Sequence, residues 1–296
     1  MMLHSDIHLA RRLERAEGHA CIEFVEARQR LFPESGGEWI ECGGAYAAFD
    51  GAGSPITQTF GLGLFEDLSP ATLDTLERFF FDRGAPVFHE VCPLAGVTAL
   101  NLLCARNYRP AEISNVLYQP IENPPPISDG QIQVRVSAKD EMKLWTDIST
   151  KGWTSDHPEL LEFFLEFGRL SSARRSSVYF LAEFEGKPGA AGLLCQHEGV
   201  ALLGGAATIP ELRHRGLQSA LLRARLRYAF EHGCDLASVV AEAGSASQRN
   251  AERNGFRIAY TRTKWRLEPV KSSNKSMIKT KPGNATPQIC PDPAPQ

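Results

Sequence analysis

The chain has 296 residues, 43 % of them hydrophobic and 23 % charged, with 32 Lys and Arg against 35 Asp and Glu for a formal charge of -3. That is the make-up of a globular protein with enough chain for two domains or one large one. It excludes a global basic field of the kind that draws in nucleic acid or an anionic membrane surface. Seven cysteines, an odd number scattered without CxxC spacing, exclude a disulfide framework and give no set of metal ligands.

The first twenty residues, MMLHSDIHLARRLERAEGHA, contain no continuous apolar segment ahead of a small-residue cleavage site, and no later stretch reaches the roughly 18 apolar residues of a membrane span. A cytoplasmic chain without membrane contact is the expectation. Each half of the sequence reads as strand, strand, helix, strand, helix, strand. In the first half, Ser69-Pro70 supplies an N-cap and first-turn pair, RFFFDRGAPVFHEV at 78–91 a helix end, Gly84 and an apolar strand, and ARNYRPAEISNVLY at 105–118 a helix end, a turn and a closing strand.

Residues 119–130, QPIENPPPISDG, combine four prolines with polar and turn residues and read as a stiff exposed connector. Beyond it, strands are predicted near 132–136, 177–184, 189–196, 200–208, 235–242 and 256–267. Helices are predicted near 138–150, 157–170, 216–232 and 245–254. Leu217, Leu221, Ala224 and Tyr228 follow the 3.6-residue period, widened by Leu222, Leu226 and Ala229 into a stripe that packs on a sheet. From about residue 270 the sequence is polar and Pro-rich, too poor in large apolar residues to offset the entropy of ordering, which predicts a disordered tail.

The two halves resemble one another. RFFFDRGAPVFHEV lies over RYAFEHGCDLASVV at 227–240, and ARNYRPAEISNVLY over ERNGFRIAYTRTKW at 252–265, both at an offset of about 148–149 residues. The expected organisation is 1–120 as one α/β unit, 121–130 as linker, 131–268 as a second unit and 269–296 as tail.

Chemistry concentrates in GVALLGGAATIPELRHRGLQSALL, a buried strand, a Pro-containing turn, a basic loop and a helix. Backbone N–H groups in a first helical turn lack intrahelical partners and carry the positive end of the helix dipole, so they suit a phosphate. Gly216 lets the backbone come close, while Arg213, His214 and Arg215 add charge. The nucleotide signatures GxxxxGK(S/T) and GxGxxG do not occur in this stretch. It resembles instead the GNAT superfamily of N-acetyltransferases, whose Arg/Gln-x-x-Gly-x-Gly/Ala motif joins the fourth strand to the third helix. Arg213-x-x-Gly216-x-Gln218 matches, with Gln218 in place of the last small residue, Pro210 in front and Gly255-Phe256 closing a short later helix.

The resemblance covers about 131–267 and implies two tandem GNAT-like α/β repeats with mixed sheets, the first degenerate. In line with the motif, Ala206, Ala207 and Thr208 would pair their backbone with the pantetheine arm of acetyl-CoA. His214, Arg215, Gly216, Leu217, Gln218 and Ser219 would wrap the pyrophosphate with Arg213, and Asn250 would lie near the thioester. Subtracting 149 from the motif lands on LFEDLS at 64–69, where Glu66 and Asp67 would repel a phosphate.

The implied activity is transfer of an acetyl or other short acyl group to an amine of a small molecule or peptide by direct attack on the thioester, with no metal and no nucleic-acid partner. Acceptor identity and oligomeric state have no diagnostic pattern. The family's tyrosine acid corresponds to Ala251 here, which leaves Tyr260, Tyr179 or solvent as the proton donor. Glu242, at the end of SVVAE, is the expected base, with Glu183 and Glu198 as substitutes. Arg223, Arg225, Arg227, Arg249 and Arg253 read either as solvated charges or as neighbours of the cofactor's 3′-phosphate. The missing tyrosine also motivates an alternative, a catalytically silent acyl-CoA sensor or scaffold, and a binding module acting through the first half is a third reading.

Overall fold

The computed structural model describes residues 5–123, 130–156, 158–171 and 173–269. The expected tail and most of the Pro-rich connector lie outside these residues. The chain opens not with a strand but with a 25-residue helix, α1 (Ile7–Leu31), whose N-cap Asp6 accepts a hydrogen bond from the Leu9 N–H at 2.9 Å. Leu9, Leu13, Ala16, Ala20, Phe24 and Ala27 fall three or four residues apart and are all buried, forming one stripe.

Strands β1 (Glu38–Cys42), β2 (Ala45–Phe49) and β3 (Gln58–Phe60) follow, so the first half has one strand more than its pattern suggested before α2 (Pro70–Phe81). Then come β4 (Val87–Val91), α3 (Gly96–Ala105) and β5 (Arg109–Pro120). The second half runs β6 (Ile132–Val136), α4 (Met142–Thr154), α5 (Leu161–Ser171), β7 (Ser177–Phe184), β8 (Lys187–His197), β9 (Val200–Thr208), α6 (Leu217–Glu231), β10 (Leu236–Glu242), α7 (Ala246–Arg253) and β11 (Arg257–Leu267). Every element predicted there occurs within a few residues of its expected bounds. Left-handed Gly84 and Gly233, φ 69° and 80°, follow α2 and α6 alike.

The eleven strands of the described residues form one mixed sheet in the order β1-β2-β3-β4-β11-β5-β10-β9-β8-β7-β6. The order shows an exchange. The last strand of the first half, β5, lies between β10 and β11, and the last strand of the described residues, β11, lies between β4 and β5. Each half therefore completes the other's sheet, and the linear division at 121–130 does not mark a place where the sheet can be parted.

Side chains alternate across the sheet. Ala237, Val239 and Ala241 of β10 pack with Leu221, Leu226 and Ala251 of α6 and α7, while α2 and α3 cover the same face further along. The opposite face carries α1, α4 and α5. There Leu13 and Ala16 of α1 meet Val116 of β5 and Leu236 of β10, and Ala20 joins Trp145 of α4. Trp145 is fully buried, its indole N–H donating to Gly192 O at 3.2 Å. Among the described residues no helix is long and apolar enough to cross a membrane.

Candidate active site

The site begins where two parallel strands part. β9 and β10 pair only at Val200↔Leu236, Ala201↔Ala237 and Leu202↔Ser238, after which β10 continues along β5 as far as Glu242↔Ser114. The cause lies in β9 itself. Its register with β8 runs from Leu193↔Gly204 to Ala191↔Ala207, so three steps on β9 answer two on β8, with Gly205 in the left-handed region at φ 55°. Such a bulge leaves a residue unpaired, bends the strand and increases its twist, which turns Leu203–Thr208 away from β10 and opens a wedge.

A buried cation sits behind this bulge. Arg225 of α6, only 2 % exposed, donates from Nη1 to Leu193 O at 3.0 Å and Gly204 O at 3.2 Å, and from Nε to Leu221 O at 3.2 Å. Burial lowers its pKa to about 10, so it remains charged near neutrality. The sequence reading of Arg225 as a surface charge or phosphate neighbour is therefore corrected: it satisfies strand carbonyls from the helix side. Three arginines at alternate positions, 223, 225 and 227, gave no local sign of which one turns inward.

After β9 the chain turns through Pro210–Leu212, passes His214 at φ 62° and reaches Gly216 at φ 86°, the N-cap of α6. No side chain caps this helix, and its first backbone bond runs from the Ala220 N–H to Gly216 O at 3.0 Å. The N–H groups of Leu217, Gln218 and Ser219 thus have no intrahelical acceptor, in the region where the helix dipole is positive. α2 differs at the same place. Its N-cap Ser69 accepts from the Thr72 N–H at 3.1 Å. Aligned by cap, Ser69 rather than Asp67 is the counterpart of Gly216, two residues from the position given by the 149-residue offset.

Several expected cofactor residues converge here. Gln218 Nε2 donates to Thr208 Oγ1 at 2.7 Å, tying the end of β9 to the helix start. Ser219 Oγ donates to Asn250 Oδ1 at 3.1 Å and accepts from Asn254 Nδ2 at 3.2 Å, tying α6 to α7. Leu217 is buried in the core, so only its backbone faces the loop. Ala206 is half-buried and Ala207 buried on the bent part of β9.

The basic side chains are placed differently. Arg213 reaches back to α4 and the turn after it, donating to Gly152 O at 3.1 Å, Ser155 Oγ at 2.7 Å and Asp156 Oδ2 at 2.8 Å. Its charge is met by Asp156, so it braces the loop instead of adding free charge beside the helix end. The Arg215 guanidinium stacks over Phe184, 4.8 Å from the ring centroid, and His214 stands exposed.

On the sheet's other face lie the expected acid and base. Glu242 ends β10, exposed, in phase with Val240, which packs on the α1 side. Tyr260 is in register with Val116 and Val116 with Val240, so β5 separates Tyr260 from β10 by two strand spacings, about 10 Å. Its hydroxyl donates to Glu14 Oε1 at 2.9 Å, and burial together with Glu14 pushes its pKa well above that of a free phenol. The structure does not bring Tyr260 and Glu242 together. Tyr179 likewise donates to Ser171 O at 2.9 Å, Glu183 pairs with Arg135 at 3.0 Å, and Glu198 lies in the β8–β9 turn, at the opposite end of β9 from the wedge.

One cluster had no sequence signal. Arg262 of β11, its side chain 2 % exposed, bonds Glu17 at 2.7 Å through both Nη atoms and Glu14 Oε1 at 3.1 Å through Nη1, while its Nε donates to Ser114 Oγ at 3.2 Å. Glu90 and Lys264 border it, along a cavity of about 920 Å³ that reaches Glu242. Its members are spread over residues 14–264 and meet only because β11 inserts beside β4.

Residues 139–256, less than half of the chain, match the family model described as Acetyltransferase (GNAT) family. No curated protein matches the sequence. Among solved structures, the chain is similar to a GCN5-related N-acetyltransferase from Kribbella flavida, at 16 % identity and a TM-score of 0.64, covering 87 % of this chain and 95 % of that one. It is also similar to a tandem GNAT protein from the clavulanic acid biosynthesis pathway, at 11 % identity and a TM-score of 0.56, covering 90 % and 97 %. A functionally unknown conserved protein from Staphylococcus epidermidis ATCC 12228 shares the fold at 8 % identity and a TM-score of 0.58, covering 82 % and 98 %. At these identities the likeness is one of fold.

Proposed function

With a GNAT domain over residues 139–256 as the premise, we propose that the protein is an acetyl-CoA-dependent N-acyltransferase whose active site lies in the second half of the chain. The observation that carries this reading is the uncapped start of α6 beside the wedge between β9 and β10. The residues present fit acetyl-CoA as co-substrate. The free N–H groups of Leu217–Ser219 and left-handed Gly216 suit its pyrophosphate, the bent backbone of Ala206–Thr208 suits the pantetheine amides, and Asn250 stands across from Ser219.

The thioester supplies an activated acyl group, and the chain supplies position and proton handling. Glu242, at the open end of β10, takes a proton from the incoming ammonium, directly or through water, so that the amine attacks as a neutral nucleophile. Tyr260 keeps its proton and holds Glu14, so the leaving thiolate is protonated by solvent. The acceptor is an amine of a small molecule or peptide, and the setting is the cytoplasm. The first half, with α2 capped by Ser69, is a degenerate copy that binds no cofactor and walls the cleft. The tandem neighbour of the clavulanic acid pathway supports reading the chain as two repeats.

Gly216→Val tests the reading. A β-branched residue at φ 86° strains the N-cap and places carbon where the phosphate would sit. Acetyl-CoA affinity by calorimetry is expected to fall at least tenfold, about 1.4 kcal/mol, with one cofactor bound per wild-type chain. Unchanged affinity, or two cofactors per chain, overturns it. If wild type binds acetyl-CoA but releases no CoA with any pool of amines, the alternative of an acyl-CoA sensor replaces the enzyme.

A further inference from the structure

We propose that the open edge of β6 and the groove beside it dock an extended peptide segment of a partner protein, one whose groove-facing side chains are apolar and acidic. This goes beyond the acyltransferase reading and stands or falls without it. Among the described residues β6 is the last strand of the sheet and is bonded on one side only, to β7. The phase of that pairing tells which groups are left over. Gln131 O accepts from the Glu185 N–H at 2.9 Å and the Ser137 N–H donates to Tyr179 O at 2.7 Å, so the odd-numbered residues turn their backbone toward β7. The N–H and C=O groups of Ile132, Val134 and Val136 therefore point outward along the edge. Such an edge is a template for another strand.

The groove lies where the side chains of an added strand would go. It has a volume of about 550 Å³, between β6 and α6. Gly216 at the start of α6 lies against Ile132, and Tyr228 near its end packs edge-on at 5.5 Å against Phe180, which pairs with Val136. Helix and strand thus run side by side in the same direction. Ile132, Val134, Ala220 and Ala224 line an apolar interior, and Val136 stands exposed at its end. On a strand paired with β6, alternate residues would project over this interior while the backbone supplies the hydrogen bonds.

Charge selects the occupant. Arg223 and Arg227, four residues apart on α6, line the groove about 6 Å from one another along the helix, close to the roughly 7 Å between alternate residues of a strand. Arg227 shares its charge with Glu231 at 3.6 Å, while Arg223 has no ion pair or hydrogen bond among the described residues. A carboxylate on the added strand would give it one. Other occupants fit less well. Residues 270–296 of this chain carry four lysines and one aspartate, the wrong sign, and 124–129, PPPISD, hold three prolines that have no N–H to give. The β6 edges of two copies, joined antiparallel about a twofold axis, would set Arg223 and Arg227 against their own copies.

The test screens the full-length protein against a library of capped seven-residue peptides in which threonine alternates with varied residues, and measures Kd of the selected peptides by fluorescence polarisation. These are expected to carry apolar residues and at least one Asp or Glu at the varied positions, and to bind at least tenfold more weakly when that acid is changed to Lys. Two variants locate the site. Arg223→Glu, on the surface of α6, is expected to reverse the preference for the acid. Val134→Pro removes an N–H that points away from β7, a change an edge strand tolerates, and is expected to weaken binding at least tenfold, as is N-methylation of the peptide backbone. A library that yields no binder, binders that are basic, or binders that both variants leave unchanged overturn the proposal. So does a dimer in sedimentation that Val134→Pro dissolves, which gives the edge to a second copy. An Arg223→Glu protein that keeps the acidic peptides and loses acetyl-CoA gives that arginine to the cofactor and overturns it as well.

Discussion

Replacing Arg262 by Met is expected to be among the most damaging single changes in the protein. Arg262 joins β11 to α1, and its removal leaves Glu14, 1 % exposed, and Glu90, 5 % exposed, without their strongest cation. Glu17, with 16 % of its side chain exposed, can turn toward solvent. Stripping one partner from a buried ion pair costs about 3–5 kcal/mol, a large part of the 5–15 kcal/mol typical of a folded domain. The loss should depend on pH. Burial raises the pKa of Glu14 while Arg262 lowers it, so without Arg262 it rises further. A carboxyl with a raised folded-state pKa favours the native state at low pH and loses that contribution as pH increases. Urea unfolding of wild type and Arg262→Met at pH 8 and pH 5 should show a deficit of about 3–5 kcal/mol at the higher pH and a smaller one at the lower. A deficit below about 1 kcal/mol at pH 8, or one that grows on acidification, refutes the argument.

Three further outcomes are expected. Glu242→Gln should lower kcat/KM for the amine by roughly 10²–10⁴-fold, the usual worth of a general base, with acetyl-CoA affinity nearly unchanged; full activity across the pH range would make Glu242 scaffolding. His89 is fully buried, bonded to Tyr108 at 3.0 Å, and burial lowers its pKa to about 3. Between the unfolded value near 6.5 and about 3 the unfolded chain binds a proton that the native state refuses, so stability falls with pH by up to about 1.4 kcal/mol per unit, and His89→Gln should flatten this limb in acid titrations followed by circular dichroism. A chain cut by a protease site engineered between Asn123 and Gly130 should still elute as one species in gel filtration, since β5 and β11 interlock; separate elution would contradict the exchanged strands.

The second half was legible because its signals are local. The apolar run of β9, the Gly-led stripe of α6 and the Ser245 cap of α7 each lie within a dozen residues. α1 was not legible for the opposite reason. Its buried positions include Glu14, Glu23 and Arg28, which break the apolar period, and their partners are Arg262, Ser176 and Asp50. Nothing within the helix sequence announces them. The motif marked the start of α6, which no side chain caps, but not that Arg213 is spent on Asp156. The linear pattern is the same whether β5 and β11 stay with their own halves or change places, so the exchange could not be read from it. Tyr260 looked available as an acid because its strand alternates normally; only the packing of α1 shows that its hydroxyl is taken.

Because β5 is flanked by β10 and β11, it emerges during synthesis well over a hundred residues before either neighbour. At about 5–20 residues per second it spends several seconds with both edges open. Unpaired edges of this kind recruit other strands, and pairings at such sequence separation form slowly. In the nascent first half β1 to β4 can pair with one another, but β5 has no native neighbour to close onto, and α1, which packs on Val116 and Tyr118, is the element at hand to cover it.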